Sequence, residues 1–64
     1  MIINGNEMKF ENEITITTLL ANLNLCSEKV VVDVNYEIIA KENFGTHKLY
    51  ETDSIEILSF VGGG

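Results

Sequence analysis

Two side chains in this sequence invite a chemical reading, Cys26 and His47, and neither carries one far. His47 stands in a polar stretch with no Ser, Cys or Asp constellation around it, so it signals neither nucleophilic catalysis nor a metal site, and a surface position is expected. Cys26 is the single cysteine. It has no partner for an internal disulfide, and zinc or redox motifs need a second Cys at suitable spacing. No basic residue sits near it in sequence, and it follows an apolar helix end, so a buried or half-buried inert thiol is expected. What remains is the chain end. Gly62, Gly63 and Gly64 have no side chain to pack and the widest backbone freedom, and they predict an extended, flexible tail whose only reactive group is a carboxylate.

The rest of the chain has to position that tail. Its 64 residues suffice for one domain, 1–61, with 62–64 as the tail, and leave no room for a deep catalytic cleft. With 45% hydrophobic and 22% charged residues, enough apolar surface exists to offset chain entropy, so the chain should fold. Four lysines, no arginine and ten acidic residues give a formal net charge of −6, which argues against nucleic acid and anionic lipid surfaces as partners. A basic patch on another protein is the natural counterpart. No apolar run approaches the roughly 20 residues that span a bilayer, and no signal-peptide pattern opens the chain, so a cytoplasmic setting is expected.

Ile2 and Ile3 favour a strand, and Asn4-Gly5-Asn6 tolerates the positive φ of a tight hairpin turn. In the second arm, Glu7 to Glu11, Met8 and Phe10 alternate with charged residues. Thr15 can cap a helix whose apolar stripe is Ile16, Leu19, Leu20 and Leu23, with Asn24 in a left-handed conformation at its end and Leu25 packing back. The β-branched run Val30 to Val34 predicts a strand with Val30, Val32 and Val34 facing the helix, followed by a short partner strand from Glu37 to Ala40. Lys41 to Gly45 reads as an irregular or 3₁₀ turn, His47 to Tyr50 as a short extended piece, and Glu51 to Ser54 as a turn. Ile55 to Val61 is the last strand, with Ile55, Ile57 and Ser59 on one face and Glu56, Leu58 and Phe60 on the other. This order predicts an α+β fold: one main helix packed on a mixed sheet of four to five strands, the last strand beside the first.

With that order in hand, the sequence resembles the ThiS family of sulfur carriers of thiamin biosynthesis, relatives of ubiquitin. The resemblance covers nearly the whole chain. It is carried by Thr15-Ile16 with Leu19-Leu20, by Val34-Asn35 with Glu37-Ile38-Ile39 and Lys41-Glu42, and by Asp53-Ser54-Ile55-Glu56-Ile57 running into Phe60-Val61-Gly62-Gly63-Gly64. The family pattern needs two terminal glycines, and the third neither adds to the likeness nor detracts from it.

The resemblance implies a ubiquitin-like β-grasp fold and a carrier that is itself no enzyme, with no catalytic side chain, metal or bound cofactor. A ThiF-type adenylyltransferase resembling ubiquitin-activating enzymes would use ATP and Mg²⁺ to adenylate the Gly64 carboxylate, because a delocalised carboxylate is a poor electrophile until it gains a leaving group. A persulfide derived from a cysteine desulfurase would supply sulfur, and the resulting thiocarboxylate would serve a ThiG-type thiazole synthase. Gly62 and Gly63 would thread narrow channels in both enzymes, where a Cβ would widen the thread or restrict its φ/ψ. Leu58, Phe60 and Val61 are the expected docking patch, with Val31 as an extension, and the carrier is expected to be a monomer. Two other functions fit the same features: a carrier for molybdopterin or tRNA thiolation, and a passive ubiquitin-like binding module whose tail is never activated.

Overall fold

The computed structural model describes residues 1–10 and 13–60. Its elements in chain order are β1 (Ile2–Ile3), β2 (Asn6–Glu7), β3 (Ile14–Thr15), α1 (Ile16–Asn22), β4 (Val30–Val34), β5 (Glu37–Ile38), β6 (Lys48–Leu49) and β7 (Ser54–Ser59), with 3₁₀ turns at Ser27–Lys29 and Lys41–Asn43. The main sheet has five strands in the order β2-β1-β7-β4-β5. β1 and β7 run parallel and the other pairs antiparallel, so the sheet is mixed and its first and last strands are neighbours. One helix lies against one face of this sheet, which is the expected β-grasp arrangement.

Local chemistry explains most of the elements. Asn4 (φ 51) and Gly5 (φ 84) are both left-handed, which makes the β1–β2 connection a two-residue hairpin of the type that matches strand twist. The second arm is shorter than its alternation predicts. Strand pairing stops at Glu7, although the Met8 N–H still reaches the Met1 carbonyl at 2.8 Å. Met8 and Phe10 nevertheless pack against the core, so the apolar face is real while the ladder is not.

Helix α1 begins at its cap: the Thr18 N–H donates to Thr15 Oγ1 at 3.3 Å. It ends in a Schellman motif, with the Leu25 N–H on the Leu20 carbonyl at 2.9 Å, the Asn24 N–H on the Ala21 carbonyl at 3.2 Å, and Asn24 at φ 58. Leu25 packs against the core, closing the hydrophobic contact that accompanies this motif. Ile16, Leu19 and Leu20 are buried, and they meet Val30, Val32, Val34, Ile55 and Ile57 from the inner face of the sheet. Met1, Ile3, Ile39, Phe44 and Leu49 complete the core.

One piece was not foreseen. β3 and β6 form a separate two-stranded ribbon, Ile14 opposite Leu49 and Thr15 opposite Lys48, that ties the start of the helix to the loop region. The Ile16 N–H donates to the His47 carbonyl at 3.3 Å and the Thr17 N–H to the Phe44 carbonyl at 3.0 Å, so the helix N-terminus finds acceptors in that loop. The β4–β5 hairpin likewise turns in two residues, Asn35 (φ 52) and Tyr36 (φ 71).

Candidate functional site

The final strand is the axis around which a site can be built. β7 is flanked on both sides, by β1 through Ser54 and Ile55 and by β4 along its length from Ile55 to Ser59. On the β1 side the pairing is prolonged by a side chain: Asn4 Nδ2 donates to the Ile57 carbonyl at 3.1 Å, and the Ile57 N–H donates to Asn4 Oδ1 at 2.7 Å. On the β4 side the ladder continues one residue past the strand, with the Phe60 N–H on the Lys29 carbonyl at 2.9 Å. The direction in which the chain leaves the domain is therefore held by the sheet up to Phe60. Val61, Gly62, Gly63 and Gly64, expected as part of the docking patch and as the tail, lie outside the described residues.

Alternation along β7 turns Ile55 and Ile57 into the core and Glu56, Leu58 and Phe60 away from it, as expected. Leu58 is 69% exposed and Phe60 49%, values that place both on the surface and not under a loop. Val31, 40% exposed, stands directly across from Leu58. The outer face also carries Ile38, exposed on the neighbouring β5, and Ile2 on β1. A shallow depression of about 460 Å³ lies on this face, between Asn4, Val31, Asp33, Ile38, Glu56 and Leu58. The patch expected from Leu58, Phe60 and Val31 is thus continuous with apolar residues on the adjacent strands.

Two acidic residues on this face were not singled out in the sequence. Asp33 lies directly across from Glu56 in the β4–β7 ladder and directly across from Ile38 in the β4–β5 ladder. Asp33 could have been noticed as the one polar residue interrupting a valine run, but its juxtaposition with Glu56 depends on strand register.

Two expectations about reactive side chains need correction. Cys26 is exposed, not buried or half-buried. The Schellman end sends Leu25 back into the core, and the next residue in the extended backbone, Cys26 (φ −89, ψ 124), points the other way. His47 is half-buried where a surface position was expected, and its backbone N–H donates to the Asn43 carbonyl at 2.9 Å. Among the described residues no group of three or more His, Cys, Asp and Glu could hold a metal ion, and no helix is long and apolar enough to cross a membrane. Ion pairs join Lys41 to Glu28 at 3.0 Å and Lys48 to Glu13 at 3.5 Å; both are well exposed and contribute little to stability.

Comparison with known proteins converges on one group. The ThiS family model matches residues 1–64. The sulfur carrier protein ThiS of Bacillus subtilis is 43% identical over 63 residues, covering 97% of this chain and 96% of that protein. A thiazole synthase of Paramagnetospirillum magneticum is 38% identical over 64 residues, which is 100% of this chain but 20% of that enzyme, so the chain spans about a fifth of its length. Among solved structures, the crystal structure of the thiamine biosynthesis protein ThiS from Geobacter metallireducens superposes with a TM-score of 0.82 at 30% identity, covering 98% of this chain and 96% of that one.

Proposed function

The chain belongs to the ThiS family, and from that membership we propose that it is a sulfur carrier for thiamin biosynthesis whose cargo rides on the carboxyl carbon of Gly64. The observation that carries this reading is the match, along nearly the whole of both chains, to a carrier protein of the same size.

A sulfur carrier of this kind needs a carboxylate made reactive and then delivered. Attack of the Gly64 carboxylate on the α-phosphorus of ATP, with pyrophosphate leaving, gives a mixed anhydride whose AMP can depart. Mg²⁺ held by the activating enzyme, a ThiF-type adenylyltransferase, neutralises the phosphate charge in that step. The outer sulfur of a persulfide then attacks the acyl carbon and displaces AMP, giving an acyl disulfide. A thiol attacks the S–S bond at the sulfur of the donor, forms a disulfide with it, and so releases the thiocarboxylate, a soft nucleophile. Its acceptor is a thiazole synthase. In support, the stretch of the Paramagnetospirillum thiazole synthase that resembles this chain forms part of the synthase polypeptide itself. The reactions require ATP and a reducing setting, which places the carrier in the cytoplasm.

The described part of the molecule contributes direction and docking. β7 leads the chain out at Phe60 beside an exposed apolar face made by Val31, Leu58 and Phe60, so an enzyme that grips this face also receives the residues that follow. Gly62 and Gly63 then pass through the narrow approach to each active site without a Cβ to obstruct it.

The decisive experiment is intact mass spectrometry after incubation with the activating enzyme, ATP, Mg²⁺ and a sulfur source. The native chain should gain the mass difference of one oxygen exchanged for one sulfur. A form lacking Gly64, or extended beyond it, should stay unloaded while keeping its circular dichroism spectrum; normal loading of either form sinks the assignment.

A further inference from the structure

The outer face of the sheet is apolar at Val31, Ile38 and Leu58 and carries two acids among them. There Asp33 and Glu56 stand directly opposite each other in an antiparallel ladder, where like-charged side chains are neighbours and destabilise the pair. Asp33 Oδ1 is shielded from solvent and has no hydrogen-bond partner among the described residues. A shielded carboxylate oxygen without a donor is costly, and folded proteins seldom keep one without use. Lys41 and Lys48 are engaged with Glu28 and Glu13, and no salt bridge reaches Asp33 or Glu56 among the described residues.

The surroundings restrict what can satisfy the pair. Val31 and Ile38 flank Asp33, and Leu58 follows Glu56 on the same face. A hard divalent cation wants about six or more oxygen ligands, and aliphatic walls supply none. A lysine ammonium is a compact, strongly hydrated charge and suits such walls poorly. An arginine fits both features, since its planar fork of N–H donors can bridge two carboxylates while its flat faces and methylene stem lie against aliphatic groups.

We propose that Asp33 and Glu56 form the polar centre of the docking face and receive an arginine guanidinium from the surface of thiazole synthase, framed by Val31, Ile38 and Leu58. This rests on the carrier reading above and adds to it the chemistry by which the partner is recognised. Strain in the free carrier becomes affinity in the complex, because the repulsion between the two acids is relieved only when the cation arrives.

Equilibrium binding to purified thiazole synthase, with chemical unfolding of the same variants, tests the proposal. Asp33→Asn and Glu56→Gln should each weaken binding by about 30-fold or more, the range seen when one side of a shielded charge pair is removed. Both should leave the free domain as stable as the native chain or more so. Leu58→Ser should also weaken binding but keep its salt dependence, whereas Asp33→Asn should flatten it. A double-mutant cycle against alanine substitutions of the synthase arginines should show coupling at one of them. If the native chain binds, Leu58→Ser weakens it, and both acid variants bind within about twofold of native, the arginine assignment is wrong and the carrier reading stands. A native chain that is loaded with sulfur yet does not bind the synthase overturns this inference alone; one that is neither loaded nor bound removes the carrier reading with it.

Discussion

Asn4 holds both backbone polar groups of Ile57, accepting from its N–H and donating to its carbonyl, across 53 positions of sequence. The side chain stands in for the next rung of the β1–β7 ladder, which the backbone leaves when it turns at φ 51. Asn is suited to both tasks, since its short polar side chain makes the left-handed conformation accessible and presents a donor and an acceptor together. Asn4→Ala should therefore lose two part-buried hydrogen bonds and strain the turn, at a cost of about 2–4 kcal/mol. Asn4→Gly, which keeps the backbone at ease, should cost less. Urea titration of the two variants beside the native chain checks the order, and equal losses would show that the hydrogen bonds alone matter and the turn conformation does not.

Tyr36 presents the opposite situation. It sits at φ 71 in the β4–β5 turn with 87% of its surface exposed, so it bears backbone strain and buries almost nothing in return. A bulky residue in this region costs about 1–2 kcal/mol, and the added chain entropy of glycine takes back about 0.5–1 kcal/mol. Tyr36→Gly should accordingly raise stability by about 0.5–1 kcal/mol, read as a higher denaturant midpoint at unchanged slope. A loss of stability would mean that the ring makes contacts that matter.

Leu19 is fully buried on the helix face that meets the sheet. Leu19→Ala should cost about 2–5 kcal/mol through lost burial and the cavity left behind. A domain of this size has total stability on the order of 3–10 kcal/mol, so much of the variant population should be unfolded at 37 °C by circular dichroism. A cooperative, native-like melt would contradict this packing.

Phe60 is half-exposed beside the chain exit and Leu58 more so. Phe60→Ser should weaken binding to the activating enzyme by about tenfold or more while lowering the melting temperature by less than about 4 °C, the shift expected for roughly 1 kcal/mol in a small domain. The reverse ranking would make Phe60 a residue of the fold.

The exposure of Cys26 leaves its thiol open to reagents. Cys26→Ser should load sulfur at the native rate in the intact-mass assay. A loss of loading at unchanged fold would bring this side chain into the chemistry.

The features that could be read from the sequence are those written locally. The cap at Thr15, the stripe Ile16-Leu19-Leu20, the left-handed Asn24, the alternating valines of β4 and the two faces of β7 each follow from a period or a single residue's backbone preference. Features set by register or by two-residue pairings could not be read. β3 and β6 are too short to show a period, and Thr15 looked like a cap and nothing more, although it also pairs with Lys48. The end of β2 at Glu7 was hidden because Met8 and Phe10 keep facing the core after the ladder stops. At the candidate site, Leu58 and Phe60 were readable from alternation along one strand, whereas the Asp33–Glu56 juxtaposition needs two strands set against each other. The part assigned to Gly64 came from the resemblance, not from any local pattern.

The parallel setting of β1 beside β7, with β4 antiparallel on the other flank, has a mechanical consequence. A pull along the axis of β7 runs across the perpendicular bonds to β4 and the slanted bonds to β1, so the bonds are loaded together in shear and not peeled one after another. An enzyme that reels in the end of this carrier can thus apply tension without unravelling the domain it holds.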